Sequence, residues 1–322
     1  MRYDKRESKQ YAQQHLRGIW AAVPTTFKEN LDLDLEAFGH NVEHWVEKLQ
    51  IDGLFVGGKQ GEFFSMSIEE RKRLFETSVR CIRGASRPAG VMLSCSDQNL
   101  DVVLKLAQHA EVLSADYIVV HSPMLPFATD VDSTVYEYYR YLSECISVPI
   151  AMWNHPDCGY VMSPALCARI ARDCPSIVAI KYSVARSLYA ELTHMTQGTL
   201  LVSSSSEVEW LDNIAELGWR LYLCSIPPIL YQTPHDRRMQ QYTQLAFSGD
   251  LQAARLVRDS LEPVRRALHD SRPPGTPHAQ QKYWQELLGQ AGGPVRPPLL
   301  NLTDSQRKTI QTAFAQSGLR HM

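Results

Sequence analysis

The chain predicts a (β/α)8 barrel on three observations: short apolar runs alternate with helical stretches from residue 18 to about 245, the runs number eight, and most are continuously apolar. Strands covered on both faces by crossover helices read as unbroken apolar runs, whereas half-solvated strands alternate with polar residues. Eight βα units in about 230 residues fit a closed barrel. An open doubly wound sheet would need a glycine-rich phosphate turn after the first strand, and Pro24-Thr25-Thr26 is no such turn.

In order, strands are expected at 19–26, 53–58, 90–95, 116–122, 149–154, 177–183, 200–205 and 220–224. Helices are expected between them at 35–48, 67–83, 99–113, 133–146 and 207–217. After residue 245 the strand signal stops. Segments 251–268, 279–288 and 305–317 read as helical, separated by Pro/Gly-rich joints at 272–277 and 292–298. The expected organisation is an N-terminal arm (1–17), the barrel (18–245) and a C-terminal helical region (246–322).

Composition removes several functional classes. In 322 residues, 33 Lys+Arg nearly balance 35 Asp+Glu, and no basic run exceeds Arg71-Lys72-Arg73, which argues against a nucleic-acid partner. No apolar stretch approaches the roughly 18 residues that cross a bilayer, so no membrane partner is expected. The first 17 residues are polar and lack the apolar segment of a secretory signal. Seven cysteines, odd in number and without a CxxC pair, suit reduced thiols in a cytoplasmic protein.

In a barrel, reactive groups sit at the C-terminal ends of the strands. Those ends here carry Thr25 and Thr26, Lys59, Gln60 and Glu62, Cys95 and Ser96, His121 and Ser122, Trp153 to His155, Lys181 to Ser183, Ser203 to Ser206, and Cys224 with Ser225. Lys181 stands out, because it falls inside the apolar run Ile177-Val178-Ala179-Ile180-Lys181-Tyr182 where an ammonium is costly to desolvate. Burial lowers a lysine pKa, as a Schiff-base nucleophile requires. The competing structural role is a rim lysine that snorkels to solvent or pairs with a carboxylate. His121, His155, Asp157 and Cys158 lack metal-ligand spacing, so no metal site is expected.

Four segments, in order, resemble the dihydrodipicolinate synthase / N-acetylneuraminate lyase family. Gly57-Gly58-Lys59-Gln60-Gly61-Glu62 resembles its GTTGE-type loop, and Pro149 to Pro156 its P-I-x-x-Y-N-x-P strand. Ile180-Lys181-Tyr182-Ser183 is similar to its I-K-x-S strand, and Gly293 to Leu299 to its C-terminal G-x-x-R-x-P-L signature, preceded by Lys282. The resemblance implies a barrel, a homo-oligomer (tetramer or dimer), a pyruvate-like 2-oxo acid substrate, Lys181 as the Schiff-base residue, and no metal or organic cofactor.

The departures from that pattern bear on the reaction. Trp153 stands where the family has its proton-shuttling tyrosine, and an indole N–H only donates. Lys59 and Gln60 replace the two loop hydroxyls. Pro123-Met124-Leu125-Pro126 replaces a P-Y-Y segment, and Asp157-Cys158-Gly159-Tyr160 lacks an arginine. By strand parity His155 shares the mouth-facing side of Trp153 and is a candidate acid or base, whereas Tyr182 faces the helices. Tyr160, in a loop, is an open candidate.

Lys59 is expected to offer charge to a 2-oxo acid carboxylate and to depress the pKa of Lys181, or else to pair with Glu62. Further substrate contacts are expected from Gln60, Gly61, Ser183, Ser205 and Leu223, with Thr25 and Thr26 shaping the barrel floor or orienting the residue at 153. The functional expectation is a class I lyase performing aldol-type cleavage or condensation, or dehydration, on a 2-oxo acid. True dihydrodipicolinate synthesis is not expected, and the alternative is a catalytically degenerate sensor that binds a 2-oxo acid or sugar acid.

Overall fold

The structure, a computed structural model, describes residues 5–125, 128–275 and 277–319. Eight strands run parallel: β1 (Gly18–Ala22), β2 (Gly53–Val56), β3 (Gly90–Ser94), β4 (Tyr117–His121), β5 (Ile150–Asn154), β6 (Ile177–Tyr182), β7 (Leu201–Ser203) and β8 (Leu221–Leu223). Their order is β7-β6-β5-β4-β3-β2-β1-β8. The two ends of this sheet meet where the Leu223 N–H donates to Ser203 Oγ at 2.7 Å. This is the nearly closed (β/α)8 barrel that the apolar runs predict, each strand falling on its run.

Helices α1 (Ser8–His15), α2 (Leu35–Glu43), α3 (Ile68–Gly84), α4 (Leu100–Val112), α5 (Val131–Cys145), α6 (Pro164–Asp173), α7 (Arg186–Thr196), α8 (Trp210–Leu217), α9 (Pro227–Leu230) and α10 (Arg238–Phe247) precede or follow the strands. Then come α11 (Leu251–Asp259), α12 (Glu262–Asp270), α13 (His278–Leu287) and α14 (Asp304–Gln316). The single helix expected over 251–268 is therefore two. Pro263 sits in the first turn of α12, where its missing N–H costs nothing, whereas within a continuous helix it would break the ladder.

Alternate strand residues separate two apolar layers. Trp20, Phe55, Met92, Tyr117, Val119, Ala151 and Leu223 fill the barrel, while Ile19, Leu54, Val91, Ile118, Ile150 and Tyr222 pack outward against the helices. Trp20 fits because Gly53 and Gly90 lack side chains: a Cβ on either would lie 2.2 or 2.1 Å from its ring. Ala12 of α1 and the adjoining Leu16 pack on the interior cluster, so the segment expected as an arm covers the closed end of the barrel. Side-chain chemistry is thereby confined to the mouth, at the C-terminal strand ends. Among the described residues no helix is long and apolar enough to cross a membrane.

Candidate active site

On β6, Ala179 packs inside the barrel while Ile180 and Tyr182 pack outward. Parity places Lys181 inside, at the mouth end. The residue is 6% exposed. Its Nζ donates to the Cys224 carbonyl at 2.7 Å and lies 5.5 Å from the centre of the Phe55 ring. Among the described residues it makes no ion pair. Burial without a counter-charge pushes the amine down to about 8, and the nearby Lys59 charge adds to the effect. Roughly a tenth to a fifth of Lys181 is thus neutral near pH 7, against less than about one part in a thousand at the ordinary value of 10.5.

Trp153 of β5 is in register with Lys181 on one side and with His121 of β4 on the other. Its indole, 7% exposed, meets the His121 ring edge to face at 5.7 Å. On the far side of Lys181, Ser203 of β7 is in register, its hydroxyl donating to the Ser204 carbonyl at 3.1 Å. Ser183 and Ser205, just beyond β6 and β7, hold their hydroxyls 3.0 Å apart. Leu223 packs inside the barrel and meets this group through its backbone, in the bond to Ser203.

The loop after β2 closes the opposite rim. Lys59 pairs with Asp157, beyond β5, rather than with Glu62 as the sequence neighbourhood suggests. Glu62 has φ of 57° and turns away from the mouth, placing its carboxylate 2.6 Å from Lys282 Nζ and 2.9 Å from the Arg296 N–H. Gln60 donates to Ser225 Oγ at 2.9 Å, and the Gly61 carbonyl accepts from Thr25 Oγ1 at 2.7 Å. Thr25 and Thr26 lie past the C-terminal end of β1, so they brace the mouth and not the barrel floor. The C-terminal region also holds Lys59, since its backbone carbonyl lies 2.9 Å from His278 Nε2.

His155 is half-buried 6.2 Å from Trp153, ring centre to ring centre, and its Nδ1 accepts the Asp157 N–H at 3.0 Å. Burial holds its pKa below the ordinary imidazole value, against the opposing pull of Asp157. The same Nδ1 lies 3.3 Å from the Asp157 carboxylate, so the Asp157 N–H and its carboxylate favour opposite tautomers of the ring. A cavity of about 450 Å³ opens between these groups, lined by Lys59, Phe63, His121, Met124, Trp153 and Asp157 among others. Lys181 is not among its lining residues, whereas Trp153, its neighbour in strand register, is.

The mouth thus gathers Lys181, Trp153, His155, Lys59, Gln60, Gly61, Ser183 and Ser205. Tyr160 stays apart: its hydroxyl donates to Asp132, at the start of α5. Pro126 lies outside the described residues. Asp157, the partner of Lys59, and His121, the neighbour of Trp153, are the site groups the motifs do not name. The signal for His121 was its strand-end position, two residues beyond the inward-facing Val119. No cluster of three or more His, Cys, Asp or Glu suited to a metal occurs among the described residues.

A model of the dihydrodipicolinate synthetase family matches residues 15–317. The chain belongs to that family. An uncharacterised DapA-like lyase of Thermococcus kodakarensis is 30% identical over 166 residues, a match spanning 52% of this chain and 54% of that one. The 4-hydroxy-tetrahydrodipicolinate synthase of Bartonella tribocorum is 26% identical over 306 residues, 94% of this chain and 99% of that one. Among solved structures, dihydrodipicolinate synthase of Thermotoga maritima superposes with a TM-score of 0.81 at 24% identity, covering 94% and 99% of the two chains. YagE, a prophage protein of E. coli K12 solved in complex with pyruvate, gives 0.82 at 21% identity over 94% and 99%. These structural likenesses establish the shared fold.

Proposed function

We propose that the protein is a class I lyase that forms a Schiff base between Lys181 and pyruvate or a related 2-oxo acid, and that it makes or breaks a carbon–carbon bond on that adduct. Family membership supports pyruvate-dependent lyase chemistry in general. The observation that carries the specific reading is the buried amine without a counter-charge at the end of β6.

Neutral Nζ attacks the keto carbon, and the carbinolamine loses water to give an iminium. The iminium accepts the electron pair of the cleaved bond, or, after loss of a C3 proton, the resulting enamine attacks an aldehyde. Lys59 faces the cavity and offers positive charge to the substrate carboxylate, with Asp157 as its counter-ion before binding. Ser183 and Ser205 offer hydroxyls on the other flank. Trp153 shapes the pocket, and its indole has no acceptor with which to relay a proton. With neither a tyrosine there nor an arginine in Asp157-Cys158-Gly159-Tyr160, true dihydrodipicolinate synthesis is not the activity proposed. A homo-oligomer, tetramer or dimer, belongs to the same proposal.

The test is borohydride reduction in the presence of pyruvate followed by mass spectrometry, with Lys181→Ala as control. A reduced pyruvyl adduct on Lys181 is expected, and no adduct across a panel of 2-oxo acids overturns the reading. The loss of hydroxyls at 59, 60 and 153 favours a second reading, a sensor that binds without turnover. An adduct that forms while no aldol probe is cleaved or condensed selects it.

A further inference from the structure

We propose that His121 is the acid–base residue for the aldol step, with its Nε2 exchanging a proton with the oxygen on C4 of the Lys181-bound substrate. This rests on the Schiff-base reading above and adds the group that the tryptophan at 153 cannot supply.

The geometry supports it in three ways. First, His121 Nδ1 lies 2.7 Å from the Ser122 carbonyl, which only accepts, so Nδ1 carries the proton and Nε2 is left with a lone pair. Among the described residues nothing donates to that nitrogen. Second, the ring is held on two sides, by Trp153 at 5.7 Å and Phe63 at 5.9 Å between ring centres, yet it lines the cavity. Third, His121 and Lys181 stand on strands two apart, in register through Trp153. That sets their backbones roughly 10 Å from each other, a span that two side chains and a bound four-carbon chain lying along the indole can bridge.

Of the two mouth histidines, only His121 has its tautomer set by a single partner: the Ser122 carbonyl holds the proton on Nδ1, whereas His155 Nδ1 lies 3.0 Å from the Asp157 N–H and 3.3 Å from the Asp157 carboxylate. Burial keeps the neutral His121 ring favoured; the charged groups nearest to it, Asp97 and Arg71, act in opposite directions.

In the cleavage direction Nε2 removes the C4 hydroxyl proton. The O–H electron pair forms the aldehyde C=O, the C3–C4 bond breaks, and its pair forms the C2=C3 bond of the enamine as the iminium pair moves onto nitrogen. Condensation is the reverse, with protonated His121 donating to the new alkoxide. No oxidant or co-reactant enters.

The test uses the full chain with two cleavage probes, 4-hydroxy-2-oxopentanoate and 4-hydroxy-2-oxo-4-phenylbutanoate, and pyruvate trapping in parallel. His121→Asn keeps a donor near the Ser122 carbonyl, and His121→Gln nearly keeps the volume. Both are expected to lower kcat on a cleaved probe by about 10²-fold or more while trapping pyruvate at the parent rate. The parent kcat should fall in acid with a midpoint below the ordinary histidine value of 6.5, and the variants should lack that limb. Cleavage within a few-fold of the parent, or trapping lost in step with cleavage, overturns the assignment. A parent that traps pyruvate but cleaves neither probe also overturns it and leaves the Schiff base standing, whereas a parent that traps no 2-oxo acid removes the underlying reading instead.

Discussion

Two lysines are buried among the described residues, and the difference between their surroundings separates the proposed nucleophile from a strut. Lys181 at the end of β6 is 6% exposed and has a carbonyl and an aromatic face for company. Lys282 on α13 is 1% exposed, and its ammonium sits 2.6 Å from the Glu62 carboxylate, 2.8 Å from the Pro294 carbonyl and 4.4 Å from the Phe27 ring centre. Burial lowers both pKa values, but at Lys282 the carboxylate opposes it. Desolvation with a counter-charge anchors a segment; desolvation without one primes an amine for attack.

The anchored segment matters to the site. Glu62 belongs to the loop that carries Lys59, and Arg296 adds a backbone bond to Glu62, two contacts to Glu70 and a stack on Phe27 at 4.3 Å. The C-terminal region therefore fixes the loop that faces the cavity. Breaking this region should give the largest effect on folding. Glu62→Gln leaves the Lys282 charge buried and unpaired, at an expected loss of about 3–5 kcal/mol, read by urea denaturation.

The converse change at the other lysine should stabilise. The folded chain holds Lys181 at about 8, below its ordinary 10.5. The unfolded state therefore binds the extra proton between those values, and stability rises with pH across that window. Below pH 8 the cost is complete, about 3 kcal/mol. Lys181→Met should be more stable than the parent by that amount at pH 7, with the difference fading toward pH 10.5. Equal stability at pH 7 would mean that Lys181 carries no desolvation penalty.

The smallest effect tests the mouth. Lys59→Met removes one positive neighbour of Lys181, so the midpoint for adduct formation should rise by less than about one unit. The same variant should raise KM for pyruvate about tenfold, since a charge-assisted contact to the carboxylate is lost. An unchanged KM would remove Lys59 from substrate binding.

The contrast between the lysines also explains what was legible in the sequence. All eight strands were, because a barrel covered by helices demands continuous apolar runs. Lys181 was, because a charge inside such a run is conspicuous. Lys282 carried no such mark: it sits among the polar residues of His278–Leu287, and its partner Glu62 lies far away along the chain. The sequence left Lys59 with two roles, a charge for a carboxylate or a pair with Glu62; its pairing with Asp157 was not legible, and the turn at Glu62 sends that carboxylate elsewhere. The role proposed for His121 depends on a tautomer set by the Ser122 carbonyl, which no spacing rule encodes.

The central claim is that Lys181 is reactive because it is buried without a counter-charge, and the pH dependence of its trapping by pyruvate and borohydride measures this most directly. The rate of adduct formation should rise with pH through a midpoint at about 8. A midpoint near the ordinary 10.5 would contradict the account.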